Sequence, residues 1–441
     1  MKCNYPLAIG ALALSLGAHT WAQDSAAQSS ASPVYVVYDT GTLGGTFAFG
    51  AGINNLGWVT GASTNASGAL HATLAPPGAL IDLGTLGGEN SAVEWPVKNN
   101  HGLVVGISES AITDPLGETF SCADFIPTNG HTCLPFLWKN GLLSQLPLLG
   151  GNNGFATGVN QAGLAVGWAE TAVHDRTCVQ PQVLQFEAVL WGPEADQKRV
   201  LPPLAGDSTS AATAINDAGE VVGISGACDV AVGAFSARHA LAWVNGKPIR
   251  LATLGGEGWN TPMAINNRGL IAGFSDTAGD VVGGVLTPNS QATIWTAAGI
   301  VNLHTLPGDA TAQATGINNF DQVVGTSYDA AGNSRVFLWQ NGKIYDLNKL
   351  VQSDAPLYLL ATGDINDRGE ITGLGCVVAD GGCGATPVVH TFVAILAPEG
   401  AGRDWQAADL TAPQPLSATM RARLAQHSRL PHRTSEPVPA P

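Results

Sequence analysis

The sequence predicts an all-β fold, a seven-bladed β-propeller with four-stranded blades, closed by an N-terminal outer strand pairing with the C-terminal blade. Three observations predict it. One short segment recurs seven times, the length variation between copies collects in one loop, and the two chain ends supply complementary parts of one blade.

The recurrent segment is plainest in "AINDAGEVVGISG", "AINNRGLIAGFS" and "GINNFDQVVGTS". Its asparagines are Asn54, Asn99, Asn160, Asn216, Asn266, Asn318 and Asn366, at intervals of 45, 61, 56, 50, 52 and 48 residues. Seven residues after each comes Gly61, Gly106, Gly167, Gly223, Gly273, Gly325 or Gly373. Asn opening a turn and Gly closing it three residues later suit a type I turn followed by a left-handed residue. Each repeat therefore begins with a β-hairpin. In the sixth copy Asp321 takes the glycine place, which Asp tolerates better than most residues.

A third strand follows in "PFLW", "AVLW", "HALAW", "ATIW" and "VFLW", with Ala75 and Ala394 replacing Trp in two further copies. The Trp residues share one register and read as core between blades. A fourth strand ends in a glycine turn, as in "LIDLGTLGG" and "IRLATLGG". Four short strands per repeat is the content of one propeller blade. The gaps between second and third strands are 10, 28, 20, 16, 18, 10 and 17 residues, whereas the remainder of the repeat is nearly constant. A stacked solenoid usually holds a more constant period, so the pattern favours a ring. At the start, "YVVYDTGTLGG" (35–45) is a fourth strand without its first three; at the end, "HTFVAIL" (390–396) is a third strand without a fourth. Pairing them completes the seventh blade and hides both open edges.

The segments "DLGTLGG", "IN-x-x-G-x-V-x-G" and "HA-x-L-x-W" together resemble the HAF-type extracellular repeat proteins of bacteria. The resemblance covers nearly the whole chain after residue 33. It implies an exported repeat protein and carries no catalytic residues across.

Residues 1–22 read as a signal peptide: Lys2, an apolar run from Pro6 to Gly17, then Thr20 and Ala22 before the cut. The run is shorter than the ~20 residues that span a bilayer. The expected order is signal peptide 1–22, polar linker 23–33, propeller 34–410 and a Pro-rich, basic, flexible tail 411–441. The expected location is secreted or periplasmic. With 19 Lys and Arg against 34 Asp and Glu, the formal charge of −15 excludes nucleic acid as an expected partner. No later segment predicts a transmembrane span.

Six cysteines remain after the signal: Cys122, Cys133, Cys178, Cys228, Cys376 and Cys383. An even number in an exported chain favours disulfides. All six fall in the variable loops. Sharing of loops suggests local bridges from Cys122 to Cys133 and from Cys376 to Cys383, which leaves Cys178 with Cys228. No Cys-x-x-Cys supports a metal site.

Propeller strand order sends the glycine turns and the variable loops to the same face. Glu89, Asp207, Glu257 and Asp309 follow the turns, with Asn152 and Asn153 at the matching place. They are candidates for binding a cation or basic group, or for acid–base chemistry on a glycan; singly, each suits a turn cap. Trp168 and Trp259 lie on that face and suit sugar stacking if exposed and packing if buried. His71, His239 and His390 share a register, which favours a structural role. No nucleophile elbow or phosphate loop is present. The "IND-x-G-E" segments lack the alternating acids of a calcium loop, so structural calcium has weak support and no cofactor is expected.

The function read from the sequence is an exported, non-catalytic recognition module. It presents disulfide-stapled loops to a glycan, peptide or partner protein, as a monomer. The alternative is a carbohydrate-active hydrolase or lyase using the channel-mouth carboxylates.

Overall fold

The computed structural model describes residues 35–397, apart from 119, 195, 230, 232, 234, 283–284, 288, 353, 379–382 and 384–386, together with 415–427. The expected signal peptide and linker lie outside the described residues.

Among the described residues the chain is almost entirely β. Five four-stranded antiparallel sheets follow chain order; four take consecutive strands, and in the fifth a separate two-stranded pair, Val281–Val282 with Val285–Leu286, comes between the second and third strands. Gly150–Val159, Ala165–His174, Leu184–Trp191 and Lys198–Leu201 are an example. An eight-stranded sheet holds two more such units, joined by one parallel contact between Phe47 and Val389 that makes it mixed. One unit runs from Gly44–Ile53 to Ile81–Asp82. The other joins Leu357–Ile365, Ile371–Val377 and Val389–Leu396 with Tyr35–Asp39 at its outer side. There Tyr35 faces Leu396, Val37 faces Ala394 and Asp39 faces Phe392, antiparallel. The fold is propeller-like, and the units are numbered below from the one that begins at Gly44.

The repeat geometry follows from two glycine registers. Each hairpin turn places a left-handed residue three after the asparagine, from Gly57 (φ +78°) to Gly369 (φ +74°), with Asp321 at +61°. The glycine seven after the asparagine sits under a bulge of the first strand. A Cβ on Gly61 would lie 1.9 Å from the Phe49 carbonyl oxygen, and on Gly223 2.1 Å from that of Ala211. Any side chain there would push the hairpin apart.

Units pack face to face. Val166, Ala188 and Leu201 of the third unit meet Ala212, Leu241 and Trp243 of the fourth. The third-strand tryptophans reach the preceding unit: the indole N–H groups of Trp191, Trp243 and Trp295 donate to the carbonyls of Pro147, Pro202 and Ala252. Tyr35 and Val37 are buried in the cluster that also holds Leu359 and Ala394. Full burial of such side chains is worth about 1.5–3 kcal/mol each, so the N-terminal strand is anchored by packing as well as by its ladder.

Of the expected tail only residues 415–427 are described, the rest lying outside the described residues, and this part is ordered against the core. Ala418–His427 form a helix, and Leu416, Met420 and Leu424 are buried in the main core cluster. Met420 and Leu424, four residues apart, share one face of the helix, and Leu416 lies just before it. The Leu416 N–H donates to Asn333 Oδ1 (2.9 Å), tying the segment to the sixth unit.

Candidate functional site

First strands run from the glycine turns to the asparagine turns, so the two turn types lie at opposite ends of the units. At the asparagine end the repeat builds two hydrogen-bond circuits. Each buried asparagine accepts backbone N–H groups of its own turn; Asn160 Oδ1, for instance, accepts those of Ala162 and Leu164. Its amide nitrogen donates to the backbone carbonyl of the corresponding asparagine in the next unit. The links run Asn54, Asn99, Asn160, Asn216, Asn266, Asn318, Asn366 and back to Asn54, at 2.7–3.1 Å. The following residues form a second circuit in which each backbone N–H donates to the next side-chain oxygen. It passes through Asn55, Asn100, Gln161, Asp217, Asn267, Asn319 and Asp367 and returns to Asn55, at 2.8–3.0 Å. The recurrent asparagine was legible; its partner in the neighbouring unit was not.

Inside these circuits lies a polar cavity, lined by residues of all seven units, including Asn55, Lys98, Gln161, Asp217, Asn267, Asn319 and Asp367. Lys98 stands where other copies have Ile53, Val159, Ile215, Ile265, Ile317 or Ile365. It reaches from the second unit to the sixth and seventh. Its ammonium donates to the carbonyls of Ile317 (2.6 Å) and Ile365 (3.2 Å) and pairs with Asp364 at 2.8 Å. Asp364 is fully buried, at a register where most copies have Gly or Ala. Burial pushes its carboxyl up, and the Lys98 ammonium acts against that. Two departures from the repeat, in the second and seventh units, thus meet.

At the other end the glycine turns and the second-to-third loops come together, as the strand order predicts. Asn129 of one loop donates to Glu89 (2.6 Å), and the Arg238 Nε donates to the Glu257 carbonyl (3.3 Å). The candidate carboxylates are not brought together into a pair. Glu89 is exposed and held by Asn129. Asp207 lies 2.8 Å from His239 Nδ1 and accepts the Ser225 hydroxyl; burial pushes its carboxyl up, but these bonds prevail and hold it below the ordinary range. Asp309 is buried against Arg335 at 2.8 Å. Glu257 is exposed, and its backbone N–H donates to Asp280 (2.9 Å). The backbone N–H groups of Asn152 and Asn153 donate to Glu170 at 3.1 and 2.9 Å.

Trp168 and Trp259 are core. They are 0% and 4% exposed and pack on Phe186 and Phe274 at 5.6 and 5.9 Å, so neither ring can stack on a sugar. The shared histidine register is structural in geometry: His71 lies 2.8 Å from Asp82, and His390 lies 2.7 Å from Asp39 of the N-terminal strand.

Sequence reasoning missed the buried acids three residues after the strand-two glycine: Glu109, Glu170 and Asp276. Glu109 and Glu170 accept backbone N–H groups of the turn residues, and Asp276 accepts the Ser290 hydroxyl. Burial, aided by the Glu118 charge, pushes the Glu170 carboxyl up to about 7. Burial does the same to Asp276, with Asp280 adding to it. Glu118, also raised by burial, accepts the N–H groups of Val183 and Leu184 and shares the Gln182 amide with Glu170. It ties the second loop to the third. The fixed glycine offset was the signal that could have found these acids.

The disulfides join Cys122 to Cys133, Cys178 to Cys228, and Cys376 to Cys383. Cys133 and Cys376 lie in strands, not in loops as expected. The second bridge ties the third loop to the fourth. Asp175 approaches Cys178 and Cys228 closely enough for a metal-ligand group, but both sulfurs are spent on the disulfide and offer no thiolate. No described helix is long and apolar enough to cross a membrane.

No known protein family matches the chain, and no curated protein does. Among solved structures it is similar to an acylaminoacyl peptidase of Pyrococcus horikoshii: 13% identity, TM-score 0.44, over 81% of this chain and 52% of that one. The chain thus spans about half the length of that peptidase. A polysaccharide lyase described as an ulvan lyase gives 10% identity and TM-score 0.40, over 81% and 94%. A gluconolactonase from Xanthomonas campestris gives 10% and 0.31, over 60% and 79%. At these values the likenesses carry no argument about this chain.

Proposed function

We propose that this chain is a seven-bladed ring closed by its own termini, of the HAF-type extracellular repeat proteins, and that it works outside the cytoplasm as a non-catalytic recognition module. The two unbroken seven-membered circuits and the antiparallel pairing of residues 35–39 with 392–396 support the ring. Three disulfides support an oxidising compartment.

One observation carries the recognition reading. At the loop end three neighbouring loops are tied in series, the second to the third by Glu118 and the third to the fourth by Cys178–Cys228. Preorganised loops lose little entropy on binding, which is what a recognition surface needs. The ligand class is a glycan, a peptide or a partner protein. The hydrolase reading needs two carboxyl groups facing one wet cleft. Glu118 and Glu170 are near one another and burial raises both carboxyls, but both are wholly buried.

The test is a polysaccharide and peptide panel offered to the purified protein, with retention and released products followed by mass spectrometry. Retention without products, lost in the Cys178→Ser, Cys228→Ser variant, is the expected result. A ladder of released oligosaccharides abolished by Glu257→Gln or Asp309→Asn would replace this reading with the hydrolase.

A further inference from the structure

Second strands are six or seven residues long in five of the units, as in Val59–Asn65 and Val221–Gly226. In the second and third units, which are neighbours, they run to ten, Val104–Thr113 and Ala165–His174. On these extensions Ile112 and Val173 stand at one register, six residues after Gly106 and Gly167. They are 65% and 53% exposed, and Leu116 and Val179 follow in the same loops at 39% and 40%.

Single exposed aliphatic side chains are ordinary. Ile81, Leu142, Val200, Ile249 and Val301 are of that kind, one to a unit on the short fourth strands. The four on the extended loops differ because they are gathered and held. Asp114 and Glu118, on either side of Leu116, both bind the third unit. Asp114 accepts the Asn153 amide (2.8 Å), and Glu118 accepts the N–H groups of Val183 and Leu184. Leu184 in turn faces His174, the residue after Val173. The Val179 N–H donates to the Cys228 carbonyl (2.8 Å), beside the Cys178–Cys228 bridge.

The same bonds set the charge of this surface. Asp114 and Glu118 are buried, and Asp175 is half-buried and bound to Thr177 of its own turn. Over 111–117 and 172–181 the exposed charge is that of Arg176, apart from the titratable His174 imidazole. Arg176 has no partner among the described residues. An unpaired arginine among aliphatic side chains is the make-up of a protein interface. On a chain of formal charge −15, a surface free of exposed acid suits a ligand that brings its own carboxylate. Among the described side chains the exposed aromatic rings are Tyr38, on the N-terminal strand, and Phe320, at an asparagine turn. Neither is on these loops, so neither offers a sugar a ring to stack on there.

We propose that these loops of the second and third units form a docking surface for a polypeptide partner that presents aliphatic side chains beside a carboxylate. Ile112, Leu116, Val173 and Val179 supply the apolar contact, and Arg176 fixes the partner's register. Because the loops are already tied, seating the partner costs little ordering. The inference rests on the recognition reading above and narrows its ligand to a polypeptide.

The test pans a phage-displayed random-peptide library on the full mature chain, with the Kd of synthesised winners measured by fluorescence anisotropy. Enriched peptides are expected to combine aliphatic residues with Asp or Glu. Ile112→Ser with Val173→Ser should weaken them about tenfold or more, and Arg176→Ala should weaken them by a smaller factor. Ile249→Ser, an equally open aliphatic position on a fourth strand, should leave them unchanged. The ligand-free Tm of these variants should match that of the parent; if the double variant melts lower, Leu116→Thr is read for the same loss. Peptides that ignore the loop substitutions, or that lose as much to Ile249→Ser, would overturn the proposal and leave the recognition reading standing. A polysaccharide retained where no peptide is enriched would overturn it in favour of a glycan. Enrichment of no peptide and retention of no polysaccharide would remove both readings.

Discussion

The two ends of the units are built on opposite plans. At the asparagine end one bonding pattern is used in every unit, and its geometry varies by only a few tenths of an ångström around both circuits. At the loop end the units differ. The register that holds Glu109, Glu170 and Asp276 in three of them holds Thr64, Gly226, Tyr328 and Cys376 in the others. The first plan makes a frame, because identical links between neighbours favour no unit over another. The second makes distinct surfaces, and distinct surfaces are what a ligand can tell apart. The frame is broken at Lys98 and at Asp364, and those two breaks meet one another.

The largest effect is expected at such a break. Lys98→Met leaves Asp364 buried with no counter-charge, and removing one partner of a buried pair costs about 3–5 kcal/mol. Adding Asp364→Asn should recover more than half of that loss in urea unfolding. A loss below about 1 kcal/mol for Lys98→Met would show that the pair does not join the two units.

Next comes the frame itself. Asn160→Ala removes the acceptor of Ala162 and Leu164 and the donor to Asn216, so a cost of about 1–3 kcal/mol is expected by the same measurement. The equivalent change in any other unit should cost a similar amount. A unit in which it is neutral would break the equivalence of the seven links.

The loop end is expected to respond to pH where the frame does not. Glu170 and Asp276 sit at about 7, above the ~4.3 and ~3.9 of an unfolded chain, so the folded state keeps protons that the unfolded state has released. Their contribution is complete below about pH 4 and is lost as pH rises through about 7. Asp175, Asp207 and Asp367 are held low and act only at more acidic pH. Tm should therefore fall between pH 5 and pH 8, and Glu170→Gln with Asp276→Asn should flatten the slope. A Tm that rises over this interval would contradict the burial of these acids.

The smallest effect belongs to the exposed turn acids. Glu257→Gln should change stability by less than about 0.5 kcal/mol.

Much of the frame was legible in the sequence because it is local. The asparagine, the turn glycine and the strand-two glycine lie within eight residues, and the chemistry of each turn is complete within its own copy. What the asparagine amide does next depends on a neighbour about fifty residues away, and only the fold supplies that neighbour. The Lys98–Asp364 contact was illegible for the same reason. Each residue looked like an isolated irregularity until the fold brought the second and seventh units within reach of one another. For Trp168 and Trp259 the sequence showed a loop-side position but not whether the ring is exposed. Both stand in long strands whose ends continue inward to the core. The helix at 418–427 was hidden by the proline-rich composition around it, although its Met420 and Leu424 spacing was there to be read.

Closure of the ring is tested most directly by a cross-link at its seam. Val37 and Ala394 face each other in the strand pair that joins the two termini. With Val37→Cys and Ala394→Cys combined, mild oxidation and peptide mass mapping should show a bond between the two engineered positions in nearly every molecule, beside the three existing disulfides. If those thiols stay free, or bond only between separate molecules, the N-terminal strand does not complete the last unit and the ring is open.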